Sequence, residues 1–316
     1  MPLEHQGFVD LPPHVGRGGF DHAAVHSARG CCYVAHTAND AVDVIDLEAG
    51  KYVGSIPGLT AVAGALVTEG PDLIFTSNRG EDTVGIVTPS SFDGHRPSSL
   101  SSQASVEKVA VGIRPNGLAY DPGRRRLLAA HVGDPDVQGS CTVSVVDVAS
   151  RRRVADLPVA GRTRWTIFDP RADVFHVNIA DPPQIVVVES ADPVRIQRIV
   201  NVEHAGPHGL DIDVARRRLF CACDAGVLVE LDEDTGELVT TTPVAGVPDV
   251  VFFNASLGRI YVAIGDPGVI EVFETTDVTA HGRHMNTPLR RHEIVSTEAG
   301  AHTLAFDPAR NIVCAF

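Results

Sequence analysis

Histidines recur at corresponding places of a repeated motif in this chain. The motif is clearest in NGLAYDPGRRRLLAAH (116–131), HGLDIDVARRRLFCAC (208–223), DVVFFNASLGRIYVAI (249–264) and HTLAFDPARNIVCAF (302–316). Three looser copies begin at residues 22, 63 and 164. Histidine occupies five of the fourteen first and last positions, where chance would place fewer than one. Because neutral imidazole is a common ligand of transition metals and a common acid–base group, the pattern indicates a functional cluster.

Each copy reads as a strand, a tight turn and a second strand. A third β-branched run follows, as in AVDVIDL (41–47), and a fourth ends the unit, as in ELVTTTPVAG (237–246). Helical periodicity is never sustained, and four antiparallel strands recurring at this period are typical of β-propeller blades. We therefore predict an all-β, seven-bladed propeller of four-stranded antiparallel blades. A β-sandwich would not repeat one strand–turn–strand motif seven times.

The repeats divide the whole chain into a single propeller domain, 1–316. The predicted blades are 20–59, 60–113, 114–161, 162–206, 207–247, 248–301 and 302–316. The last copy ends after its second strand, and we expect the segment HQGFVDLPP (5–13) to close that blade as its outer strand. The alternatives are a short last blade or a truncated sequence.

The second strands carry a recognisable tetrapeptide, seen as YVAH (33–36), FHVN (175–178) and YVAI (261–264). In this the chain resembles the YVTN-repeat β-propellers, which are seven-bladed relatives of the lactonase-like propellers. The resemblance covers nearly the whole chain and implies the propeller fold. Such propellers include enzymes and non-catalytic binding scaffolds, and the lactonase-like relatives favour a hydrolase.

In a propeller, the first strand of each blade lines the central channel and the second strand returns to the same mouth. The first positions of the seven copies should therefore form an inner ring at that mouth: His22, Ala63, Asn116, Arg164, His208, Asp249 and His302. The last positions should form a second ring beside it: His36, Ser77, His131, Asn178, Cys223, Ile264 and Phe316.

These rings supply candidate site residues. We predict His22, His208 and His302 as ligands of a divalent metal ion, which could be Zn, Fe, Mn, Ni or Cu. Four further residues are predicted to be catalytic, with Asp249 as a ligand or general base, His36 and His131 as acid–base groups, and Arg164 holding a substrate carboxylate or phosphate. The alternative is structural: His22, His208 and His302 would bond main-chain atoms across blade junctions, and Arg164 would pair with an acid of a neighbouring blade.

Two functions follow from this arrangement. The first is an enzyme that acts on a small polar molecule, as a metal-assisted, lactonase-like hydrolase or as a lyase or isomerase. Carotenoid-cleaving propellers use four histidines in a similar place, so a redox role with iron or copper is a further alternative. The second function is a non-catalytic propeller that binds a protein or a ligand on one face.

Composition restricts the partners. The net charge of −14 argues against a nucleic-acid partner, which would need a basic face. No apolar run reaches the roughly 18 residues that would span a membrane, and no secretory signal is visible, so we predict a cytoplasmic protein. The adjacent Cys31 and Cys32 suit reduced thiols. A protein partner is possible on the face opposite the histidines, where arginine triplets such as 124–126 and 216–218 fall in turns.

Overall fold

The computed structural model describes residues 2–89, 105–275 and 288–316. Six antiparallel sheets of four strands, here called blades one to six, follow one another in these parts of the chain. Blade one contains β1 Phe20–His26, β2 Cys31–His36, β3 Ala41–Asp46 and β4 Lys51–Pro57. Blade two contains β5 Val62–Thr68, β6 Leu73–Asn78, β7 Thr83–Thr88 and β8 Ser105–Ala110. Blade three contains β9 Pro115–Asp121, β10 Arg126–His131, β11 Thr142–Asp147 and β12 Arg152–Pro158.

The second half of the chain repeats this order. Blade four contains β13 Thr163–Asp169, β14 Val174–Ile179, β15 Gln184–Glu189 and β16 Arg195–Asn201. Blade five contains β17 Pro207–Asp213, β18 Arg218–Cys223, β19 Val227–Asp232 and β20 Leu238–Pro243. Blade six contains β21 Pro248–Asn254, β22 Arg259–Ile264, β23 Val269–Glu274 and β24 Arg290–Ser296. A last sheet of two strands is formed by β25 Leu304–Asp307 and β26 Ile312–Ala315.

Neighbouring blades pack through alternate residues of their second strands. Tyr33, the third residue of β2, is fully buried in one cluster with Ile74, the second residue of β6. Phe75 and Leu127 repeat this pairing between blades two and three. Because side chains alternate across a strand, successive residues of each second strand face the preceding and the following blade. Each fully buried aromatic ring stabilises its junction by about 2–3 kcal/mol.

The last sheet lies between blade six and blade one. Phe306 packs in the cluster of Tyr261 on blade six, and Ala305 packs in the cluster of Cys32 on blade one. The innermost strand β25 contacts both β21 and β1. The Ser27 hydroxyl donates a hydrogen bond of 2.7 Å to Asp307. The two-strand sheet therefore packs against both blade six and blade one.

The N-terminal segment differs from the prediction. Residues 2–19, all of which the structure describes, contain no strand, so the predicted outer strand at 5–13 is wrong. Val9 and Leu11 instead pack their side chains against the cluster that joins β26 to blade one. Pro12 and Pro13 end this segment, and proline carries no N–H for a sheet ladder. The last sheet accordingly has two strands in the described residues and lacks the predicted outer strand.

The described parts of the chain contain no helix of the length and apolar character needed to cross a bilayer.

Candidate functional site at the channel mouth

Strand pairing defines the ring of residues at the mouth. In blade five Pro207 pairs with Cys223, and in blade one Phe20 pairs with His36. The residue after each first partner is therefore equivalent, which places Asp21, not His22, in the same ring position as His208. By the same pairing, Asn78 and Ile179 hold the positions that the sequence alignment assigned to Ser77 and Asn178. In blades one, two and four, strand pairing therefore shifts one ring position by one residue relative to the sequence alignment.

A register irregularity follows each of these pairs, so the innermost strands bulge where they meet the mouth. Bulges re-aim side chains and are common beside active sites. The innermost strands also approach closely there. A Cβ on Gly209 would lie 2.2 Å from the main-chain oxygen of Asp249, and one on Gly117 would lie 2.4 Å from that of Arg164. Only glycine fits these two positions.

His208 is the centre of a charged network built by three blades. Its Nδ1 lies 2.9 Å from Oδ1 of Asp224, which directly follows β18. Its Nε2 lies 3.1 Å from Oδ1 of Asp249 on blade six. Arg164, from blade four, places Nη1 2.9 Å from the same Nε2 and Nη2 3.3 Å from Asp224. The sequence predicted His208 and Asp249 as neighbours on the ring, with Arg164 across it. The structure instead places Arg164 beside His208 and pairs it with Asp224 of the next blade, as the structural alternative described.

The protonation state of the His208 ring determines whether its Nε2 atom bonds Arg164 or Asp249. A neutral ring that donates from Nδ1 to Asp224 accepts at Nε2 from the Arg164 guanidinium. A protonated ring donates from Nε2 to Asp249 instead, and its charge then opposes Arg164. Burial alone would raise the pKa of Asp224, but the His208 hydrogen bond and the Arg164 charge lower it. His208 is thereby held by an ionised carboxylate, as in many acid–base sites.

A second network occupies the other side of the mouth. Arg79, which directly follows β6, lies 3.3 Å from Asp21 and donates a hydrogen bond to the side-chain oxygen of Asn116. His22 places Nε2 3.4 Å from Asp21 and is almost fully buried. Burial lowers the pKa of His22, so this ring is neutral at neutral pH. Arg79 and Arg164 therefore each place a guanidinium group in the mouth beside a carboxylate.

Trp165 forms the floor of the mouth. Its ring centroid lies 4.3 Å from that of His22 on blade one and 6.1 Å from that of Phe252 on blade six. An indole that starts on blade four and reaches both of these blades must cross the channel. Sequence reasoning missed Trp165, Asp224 and Arg79. The available signal was that each directly follows a ring position, and that Trp165 is the only tryptophan in the sequence.

A buried acid lies further along the same innermost strand as His208. Asp211 accepts hydrogen bonds from the main-chain N–H of Phe253 at 2.6 Å and of Ile212 at 2.8 Å. Burial raises the pKa of Asp211 to about 7, and these two hydrogen bonds only partly oppose the shift. A carboxyl group that titrates near neutrality beside a channel is a candidate proton donor or acceptor. The sequence analysis did not single it out.

Two predicted acid–base histidines are instead hydrogen-bonded inside their own blades. His36 is fully buried, with Nδ1 2.7 Å from Asp43 and its ring against Phe20. His131 places Nδ1 2.8 Å from the Thr142 hydroxyl and accepts from the main-chain N–H of Gly112 at 3.2 Å. Burial lowers the pKa of His131 to about 4. Both rings thus have structural partners, but these are not the bonds of the structural alternative, which assigned main-chain contacts across blade junctions to His22, His208 and His302.

His302, the third predicted ligand, lies at the start of the last sheet. Its Nδ1 is 2.7 Å from the main-chain oxygen of Gly300, within its own loop. It is equivalent to His208 along the repeat, because Asp307 and Asp213 occupy the same strand position. Within the described parts of the chain, no hydrogen bond or ring contact joins His302 to His22 or His208.

The mouth as built does not fit a metal ion. Both ring nitrogens of His208 already face carboxylates, and the Arg164 guanidinium lies where a metal bound to Nε2 would be. Like charges at this distance repel. Within the described residues, three donor atoms gather within 4.8 Å of one another only at Asp169, His176 and Glu233.

That buried group has a cation of its own. Arg217 places Nη1 2.6 Å from Asp169 and also pairs with Glu233. His176 lies 3.3 Å from Glu233, and neither of its ring nitrogens has a hydrogen-bond partner among the described residues. Burial lowers the pKa of His176 to about 3. The group is an ion pair at the junction of blades four and five, beside a neutral histidine.

The arginine triplets of the opposite face are partly neutralised. Arg124 pairs with Asp121 and Asp173, and Arg218 pairs with Asp232. A protein partner on that face stays a prediction.

Comparison with known proteins agrees with the sheet arrangement. No family model and no curated protein matches the chain. Among solved structures, hydrazine synthase from Kuenenia stuttgartiensis superposes with a TM-score of 0.76 at 12% identity, covering 99% of each chain. A chain of the mitotic checkpoint complex superposes with a TM-score of 0.72 at 11% identity, covering 99% of this chain and 87% of that one. The chain is a β-propeller. At these identities the likeness establishes the fold alone.

Proposed function

We propose that this propeller is an enzyme that acts on a small polar anion at the channel mouth, with His208 as its acid–base group. The single observation that carries the proposal is the position of His208 Nε2, between the guanidinium of Arg164 at 2.9 Å and the carboxylate of Asp249 at 3.1 Å. Arg164 is proposed to bind the anionic group of the substrate, as a guanidinium binds carboxylates and phosphates in a bidentate manner.

Substrate binding and activation would be coupled through Arg164. In the free protein the guanidinium donates to Nε2 and so occupies the lone pair of the neutral ring. A substrate carboxylate competes for that guanidinium and leaves Nε2 able to accept a proton. The resulting imidazolium is stabilised by Asp224 at Nδ1 and by Asp249 at Nε2, which is the arrangement expected of a general base.

Hydrolysis of a lactone or a related ring is the reaction class we favour. His208 would take a proton from water as that water attacks the ring carbonyl, and would return it to the leaving oxygen. Trp165 closes the channel below, so the substrate would stay at the mouth. Proton abstraction in a lyase or isomerase would use the same base. No step is assigned to a metal ion, because the mouth residues do not fit one.

The architecture underlying this proposal is a closed ring. We infer that β25 and β26 are the inner half of a seventh blade, because they repeat the strand pairing of the other blades and contact both blade six and blade one. The tetrapeptides of the second strands support membership of the YVTN-repeat propellers. Closure would bring Asp21 of blade one and Asp249 of blade six to opposite sides of His302.

The test is a panel of five- and six-membered lactones, with and without a carboxylate substituent, assayed by acid release in weak buffer. Turnover by the wild-type protein that falls at least about 100-fold in His208→Asn and persists in His5→Asn would support the proposal. Turnover that also disappears on chelation, or equally in His302→Asn, would favour the metal-assisted alternative. Saturable binding without turnover by any member would favour the non-catalytic one.

A further inference from the structure

One pair of positions recurs at the blade junctions. The third residue of a second strand meets the second residue of the next blade's second strand. The junction clusters contain the pairs Tyr33–Ile74, Phe75–Leu127, Leu128–Phe175, Phe220–Ile260 and Tyr261–Val313. At the junction that joins the last sheet to blade one, the corresponding residues are Cys314 and Cys32. Two cysteines therefore face each other where the ends of the chain meet.

The two thiols are close partners in an otherwise apolar cluster. Cys32 on β2 is fully buried, and Cys314 on β26 is partly exposed. Their shared hydrogen bond lowers the pKa of Cys314, whereas the same bond and burial raise the pKa of Cys32. Cys314 is thus the more readily ionised thiol and the one that solvent reaches. Such a thiol is the expected attacking group in disulfide exchange.

We propose that Cys32 and Cys314 form a reversible disulfide that locks the last sheet onto blade one. The oxidant is a small-molecule disulfide such as oxidised glutathione. The Cys314 thiolate attacks one sulfur of that disulfide and releases the first small thiol. The Cys32 thiolate then attacks Cys314 and releases the second. Two protein thiols lose two electrons to the small disulfide, and their two protons go to the released thiols.

The last sheet is where such a bond would matter most. Its strands have four residues each, whereas the other first and second strands have six or seven. Besides packing, the described contacts holding it to blade one are the hydrogen bonds of Ser27 with Asp307 and Arg310. A disulfide between residues 32 and 314 would close almost the whole chain into one loop, and long loops gain the most from a cross-link.

Another thiol pair provides the matched control. The sulfur atoms of Cys221 and Cys223 lie 3.9 Å apart. These residues are two positions apart on one strand, so a bond between them would close only a short loop and would join no blades. If proximity alone governed oxidation, Cys221 and Cys223 would form a disulfide as readily as the other pair. Only a bond between Cys32 and Cys314 would join the last sheet to blade one.

The experiment treats the full-length reduced protein with oxidised glutathione under native conditions. Free thiols are then alkylated and the disulfide-linked peptides are identified by mass spectrometry. We expect a peptide pair joined through Cys32 and Cys314, loss of two of the six free thiols, and a rise in melting temperature of roughly 5 °C or more. Cys32→Ser and Cys314→Ser should lose all three effects, and Cys221→Ser should keep them.

Three results would overturn the proposal. The first is a stable glutathione adduct on Cys314 with no resolution by Cys32. The second is oxidation confined to Cys221 and Cys223. The third is a Cys32–Cys314 bond whose formation leaves the melting temperature unchanged or lowers it, since the bond would then not lock the ring.

Discussion

Acid should destabilise this protein through two buried neutral histidines, and the size of the effect follows from their surroundings. His176 and His131 have pKa values lowered by burial to about 3 and about 4. Both are expected near 6.5 in the unfolded chain. Because the folded protein disfavours the charged rings, their contribution is complete above pH 6.5 and is lost as the pH falls towards 4 and 3. Between about pH 7.5 and pH 5, linkage gives a loss of about 2 kcal/mol for each histidine.

The diagnostic variant is His176→Leu. Other blades carry Leu128, Phe75 or Phe220 at the same junction position, so a leucine should be accommodated. The variant keeps His131 and the Arg217 ion pair but removes one of the two titrating rings. The free energy of unfolding, measured in urea at about pH 7.5 and about pH 5, should then fall by about 2 kcal/mol less than in the wild type. Equal losses in the two proteins would refute the assignment of acid sensitivity to the blade-junction histidine.

Further predictions concern single groups. The emission of Trp165 should fall as His22 is protonated, with a midpoint below pH 6.5 because burial lowers the pKa of His22, and fluorescence of His22→Asn should show no such transition. Because the pKa of Asp211 is raised to about 7, its ionisation should cost the folded state stability as the pH rises from about 4 to 7. In urea unfolding, the free energy of unfolding of Asp211→Asn should therefore rise relative to that of the wild type over this pH range. A difference between the two proteins that does not change with pH would contradict the assignment. Asp43→Ala should lower the free energy of unfolding by about 2–4 kcal/mol, because it leaves the buried His36 without its partner. A loss below about 0.5 kcal/mol in the same assay would contradict a structural role for His36.

Much of the fold could be predicted from the repeats. Alternating strands and D-P turns recur with enough regularity to indicate propeller blades, and the six four-stranded sheets follow that pattern. The closing segment was predicted wrongly, because a short apolar stretch such as 5–13 can pack through Val9 and Leu11 without pairing. The sequence shows no strand pattern after β26, so it could not predict which segment would pair with that strand.

The candidate site was only partly predictable. Alignment of the repeated strand–turn–strand motif placed His22 in the ring of blade one, whereas strand pairing places Asp21 there. The five recurrent histidines therefore belong to different environments: His208 lies in the mouth network, while His36 and His131 serve hydrogen bonds within blades. Aligning the repeats predicts the position of a residue along its strand. The direction of its side chain depends on the bulge that follows the ring position, which the alignment does not predict.

The contacts made by Asp224 and Trp165 were missed for a related reason. Asp224 comes from the loop after β18, and Trp165 reaches across the channel from blade four. Both contacts arise from how separate blades meet, and no spacing in the sequence encodes that distance. Sequence did identify the ring position that recurs from blade to blade, which Arg164 occupies in blade four and Asp249 in blade six.

A fluorescence titration of Trp165 tests the central claim most directly, because the only tryptophan of the chain forms the floor of the proposed site. Small mono-, di- and tricarboxylates would be titrated into the wild-type protein, Arg164→Gln and the control His5→Asn. We predict a saturable change in emission for at least one carboxylate, lost in Arg164→Gln and kept in His5→Asn. An absence of response to every anion in the wild type, or an undiminished response in Arg164→Gln, would contradict the assignment of the channel mouth as an anion-binding site.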